Sequence, residues 1–455
     1  MGNTLILTES KYIKPTREMK GFSLVSFAYF FTLFVLPQYF GVPFPIFDLT
    51  VLRIMIVIII LFIFGIRQRQ KQFIELTFRA SYSKYLFPYL LVLSYTLVLR
   101  VDINALLNPL IEIICFFLLI YVIRYSFGIK KTLDYILIFT YIIAFLGLVE
   151  YVIQRSPFSY LETISGLYTG RFIRSGNYRI MGPANHSLGY GLILITLIPF
   201  ICYDMEKDEI NILRRKLLLL MTAANILLNG SRSTLGVFIL EIFLLALFSK
   251  KMNIKRLIII GGAFLAIFLC FLLIFKNTNI GRYFLLQITS VMDEVLGTTY
   301  SLAYGADLKA LSSSSNYREQ LKYIFQVDWL NPFLGLGRKR SFMSEVNGAF
   351  IKSVDNYYIA EYIRYAYPGM ICYIVFILQF LIRMLKSSIQ KKSQISKTLF
   401  VGCLCYCINL YWVDSLQTLK YLYILFAIYV CLPENVKEVQ NSGKQENKKH
   451  SLYIK

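Results

Sequence analysis

Twelve apolar runs constrain this chain more than any other feature. A helix crosses a bilayer with about 20 apolar residues at 1.5 Å rise each. In hydrocarbon every backbone N–H and C=O has to be satisfied within the protein. The runs lie at 22–41, 48–66, 85–100, 105–123, 132–152, 185–204, 216–229, 232–248, 256–275, 366–385, 397–413 and 416–432. Three of them, 85–100, 216–229 and 397–413, are short for a span. Together they predict an all-α fold, a polytopic membrane helix bundle of about 12 transmembrane helices. Composition agrees, with 57% hydrophobic and 16% charged residues against roughly 45–50% and about 25% in soluble domains. That balance excludes disordered, collagen-like and soluble multidomain chains.

The net charge of +22 would suit nucleic acid in a soluble protein. Here the cations are scattered over short loops between apolar runs, without an aromatic RNA-binding motif or zinc spacing. They are read as a topology signal and as affinity for anionic membrane lipid, with no nucleic-acid partner. With the N-terminus inside, the cytoplasmic segments hold 30 Lys and Arg and the opposite segments 17, so both termini are expected in the cytoplasm. The organisation follows: an N-terminal segment 1–21, helices 1–9 over 22–275 with an outer loop at 153–184, a large extracytoplasmic loop 276–365 between helices 9 and 10, helices 10–12 over 366–432, and a polar tail 433–455. The first span reads as a signal anchor. All eight cysteines fall inside apolar runs and read as packing residues rather than disulfides or a metal site.

Long loops are unusual in trimmed polytopic proteins, so chemistry is expected on the outer face. The first outer loop carries Arg155, Arg171, Arg174 and Arg179. Arg232 stands in LNGSRSTLG, a turn between two apolar runs. A guanidinium fork beside free N–H groups at a helix start favours phosphate; the competing reading is an arginine snorkelling to the headgroups. In the large loop, Arg318 opens an amphipathic helix after a serine-rich turn, and NPFLGLGRKR supplies Arg338 next to two glycines. Asp355 then precedes Asn356 and a tyrosine pair at the start of the tenth run. Its carboxylate either caps the helix or serves as a general base. The two histidines do not form a metal site, and DxD, Walker A, dinucleotide and GxSxG motifs are missing. Ionisable residues within the runs are few, chiefly Arg53, Glu112 and Glu241. A transport path needs more intramembrane polarity than that.

Five segments in order, RIMGPANHSLGYGLIL, LNGSRSTLGVFIL, SSSNYREQLKYIF, NPFLGLG and DNYYIAEYIRYAYPG, make the chain resemble the O-antigen ligase and O-antigen or capsule polymerase superfamily over roughly 150–385. The resemblance implies a helical membrane glycosyltransferase without nucleotide, metal or other cofactor, working at the outer face of a bacterial cell membrane. It implies an undecaprenyl-diphosphate-linked oligosaccharide as substrate, with a flippase and a chain-length regulator as companions. Ligases of this superfamily commonly carry histidine where Asp355 stands, and the departure favours a repeat-unit polymerase making capsule, exopolysaccharide or O-antigen with inversion. Asp355 is then the base, and Arg179, Arg232, Arg318 and Arg338 the substrate-binding cations. The alternatives are ligase-type transfer to another acceptor and a flippase or transporter for the same lipid-linked glycan.

Overall fold

A computed structural model describes residues 17–435 except 45–47, 79, 81, 169, 175–176, 307–316, 352 and 434. The serine-rich turn, the tail from 436 and most of the N-terminal segment lie outside the described residues. The regular structure is helical apart from four two-stranded hairpins of two or three residues per strand, with turns and irregular segments between.

The helices are α1 (Arg17–Phe34), α2 (Val51–Phe64), α3 (Arg67–Phe78), α4 (Phe87–Arg100), α5 (Ile103–Val122), α6 (Gly128–Ile153), α7 (Ser187–Cys202), α8 (Lys216–Asn229), α9 (Arg232–Phe248), α10 (Lys251–Phe275), α11 (Asn279–Leu296), α12 (Tyr357–Gln390), α13 (Gln394–Asn409) and α14 (Leu419–Cys431). Among the described residues, three stretches are long and apolar enough to cross a membrane: Ile103–Ile153, Lys251–Phe275 and Tyr357–Gln390. A fourth counts if α2 and α3, bent by 115°, form one span. Shorter apolar helices of 10–17 residues accompany them, such as Ser187–Cys202 and Leu419–Cys431. Of the sequence expectation, the largely helical architecture with apolar helices is observed, and the count of about twelve spans stays a proposal. The segment 276–365 contains α11, and α12 begins at Tyr357, nine residues before the apolar run at 366–385.

The connections gather at two ends of the bundle. At one end Thr163 and Ile164 N–H donate to Tyr39 O, Ile180 N–H to Leu228 O, Tyr357 N–H to Leu410 O, and the Gln38 side chain to Gln417 O. At the other, Asn211 N–H donates to Cys202 O, Lys250 pairs with Glu209 at 2.7 Å, and Asn253 donates to Ile210 O at 3.2 Å. Between them runs one large aromatic and aliphatic core, with α14 buried along nearly its whole length. A second, smaller core joins Leu321, Ile324, Leu336, Phe342 and Ile351 of the large loop to Ile359, Tyr362 and Ile363 of α12. Burying a side chain of this size contributes about 1.5–3 kcal/mol in water, so the loop is fastened to the first turns of α12.

Candidate functional site

The sequence breaks α12 in two. Pro368 has no N–H, so the carbonyl of Arg364 cannot receive its helical hydrogen bond. Ala366 leaves the helical region at φ 56, ψ −167, a strained conformation for a residue with a Cβ. The NPFLGLG segment completes the backbone. Gly337 N–H donates to Arg364 O at 3.0 Å and Leu336 N–H to Ile363 O at 2.8 Å, while Tyr367 N–H donates to Pro332 O at 3.1 Å. Gly335 lies so close that a Cβ there would collide with Arg364 O.

That docking brings charged groups together. Arg364 Nη2 meets Asp414 at 2.5 Å, and its Nη1 meets Glu361 at 3.2 Å. Arg338 Nη2 lies 3.7 Å from the same Glu361, and its Nε donates to Tyr365 Oη at 2.8 Å. Tyr89 Oη donates to Glu361 at 3.0 Å. Burial alone would lower the Arg338 pKa, but Tyr365, Glu361 and Glu112 raise it well above the ordinary guanidinium value, so Arg338 is a permanent cation. Two arginines here meet Glu361 and Asp414, with Glu112 near enough to act on Arg338. The loop is pinned from the other side by Asp102, the N-cap of α5, which accepts from Arg338 N and Lys339 N at 2.6 and 2.7 Å.

Asp355 lies just before α12 and does not cap it. Asn356 does so, its side chain accepting from Ile359 N at 3.1 Å. Asp355 is half-buried and accepts from Ser353 Oγ at 3.2 Å. Ser353 is in turn bound by Tyr317, whose hydroxyl accepts from Ser353 N at 2.9 Å and donates to Ser353 O. Tyr317 begins the helical turn at 317–321 that carries the half-buried Arg318. The structure therefore brings the Arg318 turn to the segment of Asp355. The amphipathic helix expected there is that single turn, followed by a 3₁₀ turn at Lys322–Gln326.

Arg179 and Arg232 share a second locus. Gly230 closes α8 in the left-handed region at φ 66, and Ser231 caps α9, accepting from Thr234 N and Thr234 Oγ1. Arg232 is the first residue of α9 and is half-buried. Arg179 is buried against this turn: its Nε donates to Asn229 O at 2.7 Å, its guanidinium lies 5.2 Å from the Phe172 ring, and a Cβ on Gly230 would sit 3.1 Å from Nε. Glu150, at the end of α6, holds the loop behind Arg179, accepting from Tyr178 Oη, Met181 N and Gly182 N at 2.8–2.9 Å. Burial and then Glu150 push the Tyr178 phenol pKa up, keeping it a donor.

Residues 217–374 match the O-antigen ligase family. No curated protein matches the chain. The O-antigen ligase match supports the superfamily read from the motifs, whose members transfer glycans and act on lipid-linked glycans. With the apolar helices it points to a multi-pass membrane protein of polysaccharide biosynthesis. The O-antigen ligase segment includes Arg232, Arg318, Arg338 and Asp355, while Arg179 precedes it. Sequence reasoning missed Glu361, Asp414, Asp102 and Tyr317, and left Arg364 without a role. Two signals were available. Glu361 and Arg364 stand three residues apart, neighbours on a helix, and Asp102 lies three residues before the apolar run at 105–123, where an N-cap can stand.

Proposed function

We propose that the protein is a surface-polysaccharide polymerase. A growing glycan leaves undecaprenyl diphosphate and joins a lipid-linked repeat unit at the outer face of the cell membrane, which is the end of the bundle that carries Asp355, Arg179 and Arg232. A non-reducing-end hydroxyl of the repeat unit attacks the anomeric carbon, Asp355 takes its proton, and the diphosphate departs with inversion. Arg179 and Arg232, with Arg318, oppose the negative charge that develops on the leaving group, whereas Arg338, which the motifs offer for the same role, is turned to Glu361 and Tyr365 and serves the joint between loop and helix. The bundle is taken to hold about twelve spans with both termini inside, and a flippase and a chain-length regulator are its expected companions.

The observation that carries this reading is the O-antigen ligase match over a segment that includes Asp355 and three of the four arginines, together with Asn356 taking the capping role. Ligase-type transfer to a different acceptor is the second reading, favoured by the family's description. Purified protein supplied with undecaprenyl-diphosphate-linked repeat units distinguishes the two. A polymerase yields a ladder of lengths; product that appears only when a separate acceptor is added, and never lengthens, marks a ligase.

A further inference from the structure

The α4–α5 corner, at the same end of the bundle, holds a feature that the glycan chemistry does not use. A cleft of about 380 Å³ opens there, lined by Arg100, Val101, Asp102, Leu336, Lys339 and Arg340. Three of these are cations, and among the described residues none of the three takes part in a salt bridge. The one carboxylate does not neutralise them. Asp102 Oδ1 accepts from Asn104 N and Ala105 N, and Oδ2 from Arg338 N and Lys339 N. Its charge is spent on four backbone N–H groups.

The cations are held in place by the fold. Arg100 Nε donates to Gly335 O at 2.7 Å and Nη2 to Leu334 O at 3.1 Å, which fixes the guanidinium against the loop. Arg338 turns inward to Glu361 and Tyr365, while Lys339 and Arg340 stay exposed at the cleft. The surroundings are apolar and open: Val98 and Leu99 on α4 are exposed, Val101 is 83% exposed at φ 51, and Phe333 is 73% exposed. Clustered cations beside outward apolar side chains match the depth at which acyl chains give way to phosphates.

We propose that this cleft binds the phosphate headgroup of an anionic phospholipid, whose acyl chains lie along the exposed face of α4. The ligand chemistry, a lipid phosphate, is shared with the polyprenyl carrier, but the site is separate from the Arg179–Arg232 locus. The test is a native mass-spectrometric titration of the full-length protein in detergent with phosphatidylglycerol, phosphatidylcholine and undecaprenyl diphosphate. Wild type is expected to prefer phosphatidylglycerol to phosphatidylcholine. The double variant Lys339→Gln/Arg340→Gln should bind phosphatidylglycerol about 25-fold more weakly, roughly fivefold for each charge removed, and bind the carrier as wild type does. Removing two exposed cations at the other end, Arg67→Gln/Lys71→Gln, should change nothing. Arg340→Lys, which keeps the charge, should bind as wild type and separates charge from misfolding. Equal binding of the two phospholipids by wild type, undiminished phosphatidylglycerol binding by the double variant, its loss in Arg340→Lys, or carrier binding that falls in parallel would overturn the proposal.

Discussion

The two arginine loci at the loop-bearing end are built on different electrostatic plans. At the α8–α9 turn, Arg179 is positioned by a backbone carbonyl and an aromatic face. At the break in α12, Arg338 and Arg364 are positioned by Glu361 and Asp414. A carbonyl or a ring orients a guanidinium without itself bringing an opposing charge, whereas a carboxylate brings one. The first plan suits a site that must meet an incoming anion, and the second suits a joint between a loop and a helix. Asp355 lies beyond that joint, tied to it through Ser353 and the Tyr317 turn.

The largest expected effect probes the residue the joint presents. Asp355→Asn keeps the size and removes basicity, so ladder formation should fall by about 10²–10⁴-fold with binding of lipid-linked substrate little changed. Asn356→Ala should instead cost about 1 kcal/mol of stability through the lost cap, read as a lower midpoint of thermal unfolding in detergent. If the Asn variant at 355 makes polymer at the normal rate, proton acceptance belongs to another carboxylate.

Next comes the charge at the α8–α9 turn. Arg232→Ala should lower glycan transfer by on the order of 10²-fold at normal protein levels, as expected when a partner of a developing anion is lost. Arg232→Lys should also be poor, because an ammonium cannot supply the planar fork. Wild-type rates in both variants would make Arg232 an interface anchor and remove the contrast between the two loci.

The smallest effect is assigned to the neutralised locus. Arg364→Met leaves Asp414 and the buried Glu361 facing one cation fewer and should destabilise the protein by about 1–3 kcal/mol, less than for a fully buried pair because Arg364 and Asp414 are partly exposed and Glu361 keeps Arg338. Adding Asp414→Leu should recover part of that loss. Transfer rates that collapse in Arg364→Met while the unfolding midpoint stays unchanged would assign Arg364 to the chemistry instead of the joint.

The helices were legible because apolar runs are a local property. The run 185–204 is α7, and 232–248 is α9 residue for residue. The lengths were less so: the runs 48–66 and 397–413 extend past α2 and α13 into turns, since hydropathy does not register where backbone bonds stop. Of the candidate residues, Asp355 and Arg232 stood out by residue type beside a helix start, and Arg179 by its place in an arginine-bearing loop. The partnership of Arg338 with Glu361, and of Arg364 with Asp414 fifty positions later, did not. Both depend on a backbone exchange between a glycine-rich loop and a proline-broken helix, and such an exchange leaves no periodicity to read. Pro368 alone marked where it would happen.

That exchange has a consequence for biogenesis. The Ile363 and Arg364 carbonyls accept from Leu336 N and Gly337 N, and both donors leave the ribosome before the helix they complete. Until the loop docks, the first turns of α12 carry a gap in their own backbone, and a buried carbonyl left without a partner costs about 1–3 kcal/mol. Completion of this helix thus waits on a segment that is made before it. Docking of that segment and setting of the turn before Asp355 are therefore one event in folding.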